Sequence, residues 1–96
     1  HSSNRVARMP TIAVFYGIMV YMYFEQNERH HLPHIHARYQ GHNVALSIPD
    51  GEVIDGSFPR KELRLLQAWI GFREKELMAD WDLAMNNKEL FKIAPL

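Results

Sequence analysis

Residues His34–Ser47 read HIHARYQGHNVALS, two alternating six-residue runs on either side of Gln40-Gly41. A Gln-Gly pair between such runs predicts a two-residue hairpin turn, with Tyr39 opposite His42, Ala37 opposite Val44 and Ile35 opposite Leu46. One face of the hairpin then carries Ile35, Ala37, Tyr39, His42, Val44, Leu46 and Ile48. The other carries His34, His36, Arg38, Asn43, Ala45 and Ser47. The partition depends on this register, because a slip of one residue moves every side chain of a strand to the opposite face. His42, beside Tyr39 on the core side, is expected to be a hydrogen-bonded structural histidine.

The pattern extends in both directions. Thr11–Tyr16 and Ile18–Phe24 are short runs rich in Val, Ile, Tyr and Phe, separated by Gly17, which allows a bulge or tight bend. In the second run Ile18, Val20, Met22 and Phe24 alternate with Met19, Tyr21 and Tyr23, so both faces are apolar. Pro49-Asp50-Gly51 marks a turn into Glu52–Phe58, where Val53, Asp55 and Ser57 share one side. This half of the chain is expected to be a small antiparallel sheet of four to five strands.

After Phe58 the period changes. Leu63, Leu66, Ile70, Leu77, Trp81 and Ala84 fall at steps of three, four or seven, and Leu65, Trp69 and Phe72 widen the apolar stripe. Pro59 suits the first turn of a helix, with Ser57 as the expected cap. Gly71 and the charged block Arg73–Glu76 leave two versions open, one long helix or two short ones. Asn86-Asn87 ends the helical pattern. Leu90–Ile93 is a short apolar tail that either returns to the sheet or docks on a partner. The fold class is therefore α+β, a sheet packed against C-terminal helices, with 9–96 as one domain. Residues 1–8 are read as a cloning remnant or a disordered N-terminus.

Composition bounds the function. With 96 residues, 47% of them apolar, the chain has room for one core and no second domain. A chain of this size gains from association, and a homodimer is the expectation. There is no cysteine, so any metal must be held by histidine and carboxylate, and a reducing, cytoplasmic setting is expected. Eleven Lys and Arg balance eleven Asp and Glu, so no net basic field favours nucleic acid. The apolar run Ile12–Phe24 is too short to span a bilayer, and no membrane role is expected.

The residues also carry a family resemblance. Met9-Pro10-Thr11-Ile12, Phe15-Tyr16-Gly17-Ile18, Met22-Tyr23-Phe24, Pro33-His34-Ile35-His36-Ala37, Pro59-Arg60 with Leu63-Arg64-Leu65, Trp69, Trp81 and the closing Ile93-Ala94-Pro95-Leu96 resemble the bacterial domain-of-unknown-function family 4160. The resemblance runs over essentially all of Met9–Leu96. It implies a small stand-alone protein, often encoded beside another small protein in a toxin–antitoxin-like arrangement. It implies no catalytic residues. Leu32 and Ile35 stand where members often show a second Pro and a Phe.

Five of the six histidines lie between His30 and His42. His34 and His36, two apart on a strand, point to one face and can share an ion, which makes a divalent metal such as zinc the candidate cofactor. Zinc needs three or four protein ligands; the candidates are His30, His31, Asp55 or a group from a second chain. Arg38, Tyr39, Arg60 and Arg64 are the candidate binding residues, with Lys61 and Arg29 adding to a basic patch and Tyr39 or Tyr23 able to stack on a base. Asp80 and Asp82 flank Trp81, but two residues apart on a helix they face different ways, so they are not read as a catalytic pair. No phosphate loop, nucleophile elbow or H-E-x-x-H motif is present, and whether the chain is an enzyme stays open. Three readings stand. The first is an interaction or regulatory protein, one half of a toxin–antitoxin-like pair, bound to itself or to the small protein encoded by a neighbouring gene. The second is a metal-dependent hydrolase or nuclease using His34 and His36. The third is a weak nucleic-acid-binding module.

Overall fold

The computed structural model describes residues 10–24 and 32–96; residues 1–8 and the histidines His30 and His31 lie outside them. Five strands, β1 (Thr11–Phe15), β2 (Ile18–Tyr21), β3 (His34–Tyr39), β4 (His42–Ser47) and β5 (Val53–Gly56), form one antiparallel sheet in sequence order. Two helices follow, α1 (Arg60–Phe72) and α2 (Glu74–Met85). The fold is α+β.

The central hairpin has the register its alternation predicts, from Tyr39 opposite His42 to His34 opposite Ser47. Gln40 and Gly41 both take positive φ, 45° and 82°, the conformation whose twist matches paired strands. Tyr16-Gly17 repeats the device between β1 and β2, with φ of 52° and 79°. At the far side of the sheet Gly56 has φ 79° and lies so close to β4 that a Cβ there would overlap the Asn43 carbonyl. That carbonyl accepts the Ser57 N–H at 2.9 Å. The helix cap expected of Ser57 is not made, because the N-cap position falls on Pro59, two residues further on. Pro59 stands at the N-cap of α1 with no side-chain cap bond.

One sheet face is the core. Ile12, Phe15, Ile18, Val20, Met22, Ile35, Ala37, Val44, Leu46 and Ile48 are buried against Leu66, Trp69, Ile70, Leu77 and Trp81. Each large apolar side chain removed from water in this way contributes about 1.5–3 kcal/mol. The helical region divides at Arg73, within the charged block that left the break open. Arg73 departs from helical geometry at φ −109° and ψ 25°, and its guanidinium lies 3.6 Å from Glu76. Two sequence expectations fail here. Phe72 is 74% exposed and adds nothing to the core stripe. His42 is exposed too, because it closes the hairpin at the sheet's rim beyond the reach of the helices.

The apolar tail returns to the sheet. Ile93 is buried, and its N–H donates to the Ile12 carbonyl at 2.8 Å along β1. The indole N–H of the fully buried Trp69 donates to the Ala94 carbonyl at 2.8 Å, and Arg73 donates to the Pro95 carbonyl at 3.2 Å. Asp80, 0% exposed, accepts the Phe91 N–H at 3.1 Å through Oδ1, while Oδ2 has no partner among the described residues. Burial raises the Asp80 carboxyl above its ordinary 3.8, and the Phe91 bond offsets part of that rise.

Two predictions follow from this docking. Trp69→Phe keeps most of the ring and loses the tail bond; it should cost about 1–3 kcal/mol in urea denaturation and release the Ile93 amide to faster hydrogen exchange. For Asp80 the folded state holds a proton more readily than the unfolded chain, so this group costs stability at neutral pH. That cost shrinks as pH falls from the raised value towards 3.8. Asp80→Asn, which keeps an acceptor for Phe91, should raise the urea midpoint at pH 7 and flatten this part of the pH profile.

Candidate functional site

β3 decides the site, because its alternation sends Ile35 and Ala37 into the core and His34, His36 and Arg38 to the other face. Register carries that face across the sheet. Tyr21, His36, Ala45 and Asp55 form one cross-strand row, and Met19, Arg38 and Asn43 form the next, with Val14 beside Met19. The helices leave these rows uncovered: Val14, Met19, Arg38, Asn43 and Asp55 are exposed. Between the rows runs a shallow groove of about 220 Å³ lined by Tyr21, Tyr23, His36, Arg38, Asn43 and Asp55, with Ala45 at its floor.

The groove is ordered by ring contacts. The His36 ring stacks on Tyr23, centroids 4.6 Å apart and planes within 13°. Arg38 lies over the Tyr21 ring at 5.6 Å, and its Nε–H donates to Asn43 Oδ1 at 3.3 Å. Such cation–π placement contributes about 0.5–1 kcal/mol at an exposed site. Tyr21, Met19 and Asn43 were not singled out as binding residues in the sequence. The signal was present in the hairpin alternation, which puts Asn43 opposite Arg38, but the pairing of β2 with β3 is not readable from either strand alone.

His34 behaves differently from His36. It is 4% exposed, its Nδ1–H donates to the Leu32 carbonyl at 2.8 Å, and its ring packs against Trp81 at 5.2 Å and His36 at 5.0 Å. That carbonyl bond fixes the tautomer, so Nδ1 carries the proton. The two histidines are adjacent, as an HxH pair requires, but Asp55 is two strands from His36. At about 4.8 Å per strand their backbones are about 10 Å apart. Among the described residues no group of three His, Cys, Asp or Glu comes together around one point. His30 and His31 fall outside the described residues.

The candidate binding residues divide between surfaces. Arg38 belongs to the sheet groove, whereas Arg60 and Arg64 lie on α1, which packs on the opposite face. The single basic patch expected near the histidines is therefore not formed. Tyr39 is half-buried against Phe58 at 6.0 Å. Partial burial, then the nearby Glu62 carboxylate, raise its hydroxyl above the ordinary 10.0. Tyr39 is thus a packing residue at the sheet's rim. The Asp80 carboxylate, by contrast, was legible: it falls between Leu77 and Trp81 on the apolar stripe, a position that forces burial.

The two histidines should separate in a stability test. His34→Ala removes a buried ring and its hydrogen bond and should cost about 2–3 kcal/mol. His36→Ala loses one stacking contact and should cost about 0.5–1.5 kcal/mol. Thermal or urea unfolding of the two variants checks the difference.

No helix among the described residues is long and apolar enough to cross a membrane. No curated protein and no solved structure matches the chain. One family model does match, over residues 17–82, from the turn after β1 to the last turns of α2. That span is more than half of the sequence, and it includes the hairpin, the histidine pair and the whole groove. The chain belongs to the family described as Domain of unknown function (DUF4160).

Proposed function

We propose that the chain is a small regulatory interaction protein, one half of a toxin–antitoxin-like two-protein module, and that it works as a homodimer joined through the uncovered sheet face. One observation carries the reading: among the described residues the helices cover one face of the sheet, and the other face has the side-chain chemistry of an interface. Tyr, Met and Arg are the residue types enriched at interfaces, and Lys, Glu and Asp are depleted. Tyr21, Tyr23 and Arg38 line the groove, Met19 borders it, no lysine or glutamate lines it, and Asp55 is its one carboxylate.

The face is also self-complementary. Arg38 and Asp55 stand on neighbouring rows two strands apart. Two copies set face to face about a two-fold axis can place each Arg38 opposite the partner's Asp55, the arrangement an isologous interface demands. The metal-dependent hydrolase or nuclease reading has less support, since the described residues offer two ligands and no third. The nucleic-acid reading has less support as well, because its three arginines lie on separate surfaces of a chain with no net charge.

Sedimentation or light scattering across a concentration series tests the dimer. The expected result is a reversible dimer with a dissociation constant of order micromolar, as for a small interface. Arg38→Glu should make it monomeric, and adding Asp55→Arg should restore the pair. A monomer at every concentration, or a dimer indifferent to Arg38→Glu, overturns the dimer assignment. Failure to co-purify with the small protein encoded next to it counts against the two-protein module.

A further inference from the structure

α1 has a second face that the described residues leave exposed. It turns Leu66, Trp69 and Ile70 into the core, and its exposed side carries Lys61, Arg64, Ala68 and Phe72 at steps of three and four, with Leu65 half-buried at the border where it meets the core. From Lys61 to Phe72 the stripe is about 16 Å long. Its first end is cationic, with Arg60 beside Lys61 and Arg64. Its last end is apolar, and Phe72 there is the most exposed large hydrophobic side chain among the described residues. Arg60, Lys61, Arg64, Leu65 and Ala68 line one open depression of about 480 Å³.

Neither end serves the fold. Cations in the first turns of a helix oppose its dipole and cost stability. Arg60, Lys61 and Arg64 make no ion pair with any described residue, and they outnumber the single carboxylate of that region, Glu62. Glu62 lies near enough to Tyr39 for its charge to raise the Tyr39 hydroxyl above its ordinary value. Phe72 buries little against its own chain. A stripe that is unfavourable at one end and idle at the other is explained by what covers it.

We propose that this stripe is the docking surface for an acidic amphipathic segment of a different protein, with carboxylates at one end and apolar side chains two to three turns away. Charge decides against a second copy. Two such stripes set parallel place cations on cations. Set antiparallel about Ala68, they bring the cationic end to the Arg73–Glu76 block, whose charges cancel. The inference rests on the interaction-protein reading and names the surface left for the foreign partner once the sheet face is used by the dimer.

The test uses the full chain and two fluorescent peptides of about sixteen residues, long enough to hold a helix. Each carries four Glu at helical spacing in one half and Leu at helical spacing in the other; one has the acidic half first, the other last. Fluorescence anisotropy should show saturable binding of at least one peptide, weakening as salt rises. Arg60→Glu with Arg64→Glu, and separately Phe72→Ser, should each weaken it tenfold or more. All three residues are exposed, so the variants should keep the parent circular dichroism. Arg38→Glu should leave peptide binding unchanged while it abolishes the dimer, which keeps failure of this surface distinct from failure of the sheet interface. The proposal is overturned if neither peptide saturates, if Phe72→Ser binds like the parent, if Arg38→Glu is the variant that loses the peptide, or if a single-stranded RNA oligonucleotide takes the same arginines in preference to both peptides.

Discussion

A tryptophan with no exposure to solvent has one polar atom to place, and the indole N–H of Trp69 is placed on the Ala94 carbonyl. An unmet donor at that depth would cost about 1–3 kcal/mol, so the ring can occupy the core only if the tail is there to accept its proton. The same ring packs on Phe15 at 5.2 Å, which ties α1 to β1. Sheet, helix and tail are therefore one cooperative unit. The buried Asp80 carboxylate reinforces the arrangement at Phe91 while exacting a desolvation cost of its own.

This constraint leaves the protein with few free surfaces. The tail occupies the outer side of β1, a strand edge that would otherwise present unpaired backbone groups. Gly56 draws β5 tightly against β4 at the other side. Two patches among the described residues differ in character: a tyrosine and arginine face on the sheet, and a graded cationic-to-apolar stripe on α1. The first is compatible with its own image and the second is not. A chain of this size that supports both has divided assembly from recognition between its two layers.

Much of this was legible in the sequence, for identifiable reasons. The hairpin register followed from the Gln40-Gly41 pair and strict alternation, because both act within a dozen residues. The break between helices was marked by Gly71 and the charged block, although propensity alone could not decide whether the helix would divide. The errors lie where context beyond the local pattern decides. Phe72 was read as widening the apolar stripe, but it lies on the side of α1 turned away from Leu66, Trp69 and Ile70. His42 has the right phase for the core and the wrong position along the strand. Ser57 has the chemistry of a cap, but α1 begins two residues too late for it, with Pro59 at the N-cap. The uncovered groove was only half visible. His34, His36 and Arg38 were seen as one face, but Tyr21 joins them through strand pairing that only the folded chain reveals. The basic patch was misread because sequence cannot say that Arg38 and Arg60 sit on opposite sides of the sheet.

The bond from Ile93 to Ile12 joins residues near the two ends of the described chain. Most of the sheet is a meander whose neighbours are consecutive strands, so its pairings close comparatively short loops and can form early. The tail closes the longest loop of all, at the greatest entropic cost. A segment outside the span matched by its family thus ties the two ends of the described chain together and meets that cost with the burial of Ile93 and the carbonyl it offers Trp69.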